Sequence, residues 1–273
     1  NIGIGLVYGG AQYRGDLVED GQNPYENLKP LYGLSISYQS TPSLTFFSSF
    51  IHTELSSSDS YSKDLDRKSR NLHFRSNLNE YCFGFEFYPL QLFTKRKLKY
   101  QIFYKTGVAV FNFNPQAEYL GTWYDLQPLH TEGQGMPNSG IKPYLLVDVA
   151  YPFGGGFKID VSKYLSIKYE LSPRKTFNDY IDDVSGSYFD LDMIRNYSSD
   201  IAAKLSYRIT DWDLEDAPPI VNGKQRGNKN NKDWYIINAI TIQYNFGKES
   251  KKSNADMNNM DVIKLPQSDI IKI

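Results

Sequence analysis

The stretch Glu80-Tyr81-Cys82-Phe83-Gly84-Phe85-Glu86-Phe87 decides the fold. In an extended chain successive side chains point to opposite faces, so Tyr81, Phe83, Phe85 and Phe87 share one face and Glu80, Cys82, Gly84 and Glu86 the other. Four aromatics on one face want a greasy solvent. A soluble sandwich also alternates, but it does not fill its second face with glycine and carboxylates. A barrel in lipid does, with apolar side chains outside and small or charged ones inside.

The same pattern recurs along the chain. From Ile2 to Tyr13, Ile2, Ile4, Leu6 and Tyr8 oppose Gly3, Gly5, Val7 and Gly9. From Leu28 to Tyr38, Tyr32, Leu34, Ile36 and Tyr38 oppose Gly33, Ser35 and Ser37. Leu44 to Leu55 is a strand whose adjacent Phe46 and Phe47 leave its faces unassigned. After the strand from Phe74 to Tyr88 come Lys99 to Phe113, Pro143 to Ile159, a strand from Leu165 to Leu171, and Trp234 to Phe246. Gly154-Gly155-Gly156 permits a bend within the sixth. Connections are short after the second, fourth and sixth strands and long after the others, as expected of outer-membrane barrels with long loops outside the cell. Two aromatic rings are expected: Tyr38, Tyr88, Tyr100, Tyr164, Tyr244 and Phe246 at the short turns, and Tyr13, Phe74, Phe113, Tyr144, Phe177 and Trp234 at the long loops.

Composition supports this reading. An aromatic share of 15% is high for a chain of mean hydropathy -0.50, and no run of apolar residues is long enough for a membrane helix. A net charge of -1 with interspersed signs gives no field for nucleic acid. The lone Cys82 cannot form an internal disulfide and is read as a small buried filler. The chain opens at Asn1 inside a strand pattern without Met, as expected of a processed, exported protein. The expected fold is all-β: an eight-stranded antiparallel transmembrane β-barrel over residues 1–246, with long extracellular loops, followed by a periplasmic C-terminal tail over 247–273. Its expected place is the Gram-negative outer membrane, with both termini periplasmic.

No enzymatic constellation is visible. His52, His73 and His130 are scattered, and none has a second group at a fixed spacing. Asp179, Asp182 and Asp183 lack the spacing of a calcium loop and are expected in a solvated loop. No cofactor or metal is expected. Six charges take lumenal parity: Glu80, Glu86, Lys105, Asp148, Lys168 and Glu170. They make either a proton or ion path or a salt-bridged plug; a narrow barrel, nearly filled by side chains, favours the plug. Glu86 and Lys105, on neighbouring strands, are expected in one ion cluster. In the last long loop Ile201, Ala202, Leu205 and Ile209 stand at helical spacing behind Ser198 or Ser199 as cap. In the tail a polar spacer precedes Val262, Ile263, Leu265, Ile270, Ile271 and Ile273, the expected partner-binding residues of a docking peptide; the bland alternative is a disordered terminus.

Three groups of strings carry a family resemblance: Phe113-Asn114-Pro115-Gln116-Ala117 through Trp123-Tyr124-Asp125-Leu126-Gln127-Pro128-Leu129 to Thr131-Glu132-Gly133-Gln134-Gly135; Arg174-Lys175-Thr176-Phe177 with Asp179 to Gly186; and Gln225-Arg226-Gly227 before Lys232-Asp233-Trp234-Tyr235. Together they resemble the PorG family, small outer-membrane barrels of the type IX secretion system of Bacteroidetes. The resemblance implies a non-enzymatic component of protein secretion and gliding motility that associates with a periplasmic ring of PorK-like lipoprotein and PorN-like protein. A small barrel enzyme or a narrow pore is the alternative.

Overall fold

The computed structural model describes residues 1–19, 21–23, 25–96, 98–208 and 222–246. Among these residues nine strands form one antiparallel sheet: β1 (Ile2–Arg14), β2 (Lys29–Thr41), β3 (Leu44–Ser58), β4 (His73–Phe87), β5 (Tyr100–Tyr119), β6 (Thr122–Asp125), β7 (Val147–Asp160), β8 (Leu165–Thr176) and β9 (Trp234–Phe246). β1 pairs with both β2 and β9, and β4 pairs with β5, which closes the sheet into a barrel of eight strands. β6 is the return arm of a hairpin that extends β5 past the barrel rim. Closure leaves no open edge, as a lipid-embedded sheet requires.

The faces follow the parity of the sequence. Tyr8, Leu34, Ile36, Tyr81, Phe83, Tyr104 and Val108 face outward and are exposed, while Ser35, Ser37, Cys82, Glu86, Lys105 and Ala109 are buried inside. β3 resolves with Phe46 outward and Phe47, Ile51 and Leu55 inward, because its inner face joins an apolar layer of the lumen. The backbones pack closely at the inner glycines. A Cβ on Gly84 would lie 2.1 Å from the carbonyl oxygen of Thr106, and one on Gly156 1.8 Å from that of Tyr169.

The expected aromatic rings need correction. At the short turns Tyr38, Tyr100, Tyr164, Tyr244 and Phe246 are exposed, but Tyr88 is buried in the mouth of the lumen. At the long-loop end Phe177 is exposed, whereas Tyr13, Phe74, Phe113 and Tyr144 are buried and join the core of the upper lumen with Leu31, Leu78, Phe111 and Ile237. They continue the inner parity of their strands or lie beneath the loops. The outward aromatics at this end include Tyr151 and Phe153, with Trp234 half-buried 6.0 Å from the Phe153 ring.

Among the described residues three short α-helices lie in the long loops: α1 (Leu65–Arg70), α2 (Leu191–Tyr197) and α3 (Asp200–Ser206). α3 is the expected helix, and the Ser199 hydroxyl accepts the Ala202 N–H as its cap. Ile209 and the tail, including Val262, Ile263, Leu265, Ile270, Ile271 and Ile273, lie outside the described residues.

Candidate functional site

The lumen is crossed by a charge-balanced network. Lys168 Nζ donates to Glu86 Oε1 at 2.7 Å, and Lys105 Nζ donates to Glu170 Oε2 at 2.6 Å. Arg174 spans Glu80 with two bonds of 3.2 Å and lies 3.9 Å from Glu170 Oε1. Tyr235 donates its hydroxyl to Glu80 at 2.6 Å and Tyr88 to Glu86 at 2.5 Å. Three carboxylates thus face three cations, and the Lys105 ammonium also sits 4.2 Å over the Phe47 ring. Such pairs are tolerable in a low dielectric only when every charge is matched and bonded. The remaining space is small. Cavities of about 20 and 30 Å³ adjoin Glu86, each room for about one water.

Of the six expected lumenal charges, five meet here. Asp148 does not join them. It takes the inner parity, in register with Phe111, but is only half-buried near the start of β7 and accepts its neighbour's Val149 N–H at 2.7 Å. Glu86 and Lys105 do share the network and are ladder partners, yet neither makes its ion pair with the other. Sequence reasoning misses Arg174, which is nearly fully buried. Stopping the seventh strand at Leu171 hides it, although Lys168, Glu170, Ser172 and Arg174 continue one parity. The expected set of four acids and two bases is itself out of balance, and one more inward cation is the signal.

Above the network the long loops pack as a lid, and the distinctive strings of the sequence meet in it. Buried Arg226 donates to Glu132 Oε1 at 2.9 Å and to the Asp183 carbonyl at 2.6 Å. Glu132 in turn accepts the N–H groups of Ser185 and Gly186, each at 3.0 Å. The side chain of Asp183 accepts the hydroxyls of Tyr144, at 2.7 Å, and Thr131. The Tyr13 hydroxyl, at the upper end of β1, lies 2.6 Å from Asp182 and 2.8 Å from Asp233. Asp179, Asp182 and Asp183 are therefore buried fasteners rather than a solvated loop. A Cβ on Gly227 would lie 2.8 Å from the Ser185 nitrogen, so a glycine is needed there for the two loops to approach.

Burial dominates the ionisation of the lid. It pushes Asp183 up to about 6 despite nearby Arg226, and Asp179 likewise up to about 6. Asp182 and Asp233 are raised well above the usual carboxylate range, first by burial; Asp233 is the next cause for Asp182. One phenolic proton cannot be donated to two carboxylates at once, so the Tyr13 bridge is complete when one of the pair carries a proton.

The histidines do not converge. His52 Nδ1 pairs with Asn79 at 2.7 Å, His73 accepts the Glu118 N–H at 3.0 Å, and His130 packs edge-on against Tyr197. Among the described residues no group of three or more His, Cys, Asp or Glu is placed to hold a metal.

Similar folds occur among solved outer-membrane proteins. The attachment invasion locus protein Ail of Yersinia pestis is 8% identical, with a TM-score of 0.38, 89% of this chain and 97% of that one covered. Neisserial surface protein A is 6% identical at a TM-score of 0.42, covering 90% and 97%. The N-terminal barrel domain of Pseudomonas aeruginosa OprF is 10% identical at 0.33, covering 88% and 96%. At these identities the likeness concerns the fold alone. No curated protein sequence matches the chain. The family described as domain of unknown function DUF6089 matches residues 2–199, most of the barrel and its lid, and the chain belongs to that family.

Proposed function

We propose that this outer-membrane barrel is a non-catalytic, non-conducting scaffold of a type IX protein secretion and gliding machine, held to a PorK/PorN-like periplasmic ring. The observation that carries the scaffold reading is the lumen. Its charges are matched to one another rather than left lining a path, and its free space near the network amounts to single waters. An eight-stranded barrel filled in this way offers its rims and loops, not a channel, to other molecules. The secretion role is supported by the strings around Trp123, Asp182 and Arg226, which resemble the PorG family and build the lid.

The docking element in this reading is the tail, with Val262, Ile263, Leu265, Ile270, Ile271 and Ile273 as contacts after a polar spacer. Apolar residues separated by polar ones suit strand addition to an exposed sheet edge. The test is truncation after Gly247 in cells that carry the ring. The expected result is a barrel that still folds and inserts while its co-purification with ring proteins falls; undiminished co-purification rejects the docking role.

A further inference from the structure

The turn between β4 and β5 differs from the other short turns. Gln91 is buried beneath it and clamps it, donating to the Arg96 carbonyl at 3.1 Å and accepting the Leu98 N–H at 3.2 Å. The Phe93 N–H closes a tight turn onto the Leu90 carbonyl at 3.3 Å. So pinned, the turn presents Leu90, Leu92 and Phe93 to the outside, 42%, 61% and 86% exposed. After Thr94 the sequence runs Lys95-Arg96-Lys97-Leu98-Lys99, and no acidic residue stands between Phe87 and Tyr100. Lys95, Arg96 and Lys99 are exposed.

The surroundings carry the same sign. The β2–β3 turn, Thr41-Pro42-Ser43, is uncharged, and the β7–β8 turn adds Lys163. Lys99 Nζ lies 5.5 Å over the Tyr100 ring and Lys163 Nζ 4.7 Å over that of Tyr164, both rings belonging to the short-turn aromatic belt. The acids near this mouth are occupied: Glu86 holds Lys168, and Asp160 accepts the Ser166 hydroxyl and faces Lys158.

We propose that the β4–β5 turn is a lipid anchor, binding the anionic headgroups of phospholipids in the leaflet on the short-turn side. Lys95, Arg96 and Lys99 meet the phosphates, and Leu92 and Phe93 enter the boundary between headgroups and acyl chains. Exposed apolar side chains followed by clustered cations are the composition of segments that lie in a membrane interface. The cation-capped tyrosines place that interface at the height where the turn begins. The anchor would also fix which side of the barrel meets anionic lipid first. This proposal rests on the transmembrane barrel alone and not on any ring partner.

The test uses the purified full chain in nanodiscs of phosphatidylcholine, with or without phosphatidylglycerol. Cys82 is buried in the lumen, so Phe93→Cys supplies the accessible thiol for a nitroxide, with the unsubstituted protein as labelling control. The expected result is a nitroxide shielded from a water-soluble relaxation agent and open to oxygen when phosphatidylglycerol is present. Adding Lys95→Gln, Arg96→Gln and Lys99→Gln should return it to water. Native mass spectrometry of the chain without the label should show phosphatidylglycerol retention falling by about fivefold per charge removed. A nitroxide equally water-exposed in both lipids, or lipid retention unchanged by the three substitutions, overturns the anchor. An exposed nitroxide that becomes shielded only on adding an acidic periplasmic protein overturns it in favour of a protein seat. Heat-modifiable migration of each variant on a detergent gel confirms that the barrel compared is folded.

Discussion

Lys105 is the ladder partner of Glu86, yet its ammonium is bonded to Glu170 at 2.6 Å, while Glu86 takes Lys168 from across the lumen. Backbone register and ion pairing are thus offset. Gly84 and Gly107, which pair directly in the same two strands, pack backbone to backbone and put no side chain on that stretch of the inner face.

Glu86→Ala should therefore strand Lys168 rather than Lys105. The expected loss is about 3 kcal/mol, the cost of one buried unmatched charge. Lys168→Met in the same background should recover much of it, and Lys105→Met distinctly less. Urea titration of the heat-modifiable band in lipid vesicles measures both double-mutant cycles. Equal recovery by the two methionines would show that the network does not discriminate partners.

Arg174→Met should cost about 3–5 kcal/mol, because Glu80 loses both of its ionic bonds and keeps only the Tyr235 hydroxyl. Arg174→Lys keeps the charge but not the fork, so its loss should be smaller but measurable. Glu80→Gln together with Arg174→Met should restore stability toward wild type by the same urea titration. Additive losses would place the two residues in separate environments.

How much of this is legible in the sequence follows from parity. Period two places the strands, the inner glycines and five of the six charges, since a closed barrel gives each position only two places to point. Errors arise where position along a strand replaces parity: height alone assigns Tyr13, Phe74, Phe113 and Tyr88 to the rings, although each lies inward. Arg174 is missed because the seventh strand is ended at Leu171, whereas it runs on to Thr176 and keeps Ser172 and Arg174 on the inner face. The lid is not legible at all. Glu132, Asp183 and Arg226 meet across 94 residues through irregular loops, and no periodicity encodes that.

The barrel should behave as an integral membrane protein. Its outward face of Leu6, Tyr8, Leu34, Ile36, Phe83 and Val108 is exposed only if lipid does not cover it. Alkaline carbonate should leave it in the membrane fraction, and planar bilayers containing it should show no steady conductance. Steady channel currents from the wild-type chain would overturn the filled lumen.

The lid should tighten as pH falls. Asp183 and Asp179 have folded-state values raised to about 6 from an ordinary 3.8, and Asp182 and Asp233 are raised too. A group raised on folding stabilises the folded form fully below its unfolded value and loses that contribution as pH climbs through the folded one. For Asp183 and Asp179 the contribution is therefore present at about pH 4 and lost by about pH 7, and the raised Asp182 and Asp233 act in the same direction. For buried Asp183, the rise from its ordinary value corresponds to about 3 kcal/mol. Backbone exchange at Val184, Ser185 and Gly186, whose N–H groups are held by Asp182 and Glu132, should be more protected at pH 5 than at pH 8 after correction for intrinsic rates. Asp183→Asn should flatten part of this dependence, and Tyr13→Phe should loosen the Asp182 and Asp233 pair most at high pH. Protection that is the same at both pH values, or that rises with pH, would show that these carboxyls are ionised in the closed lid.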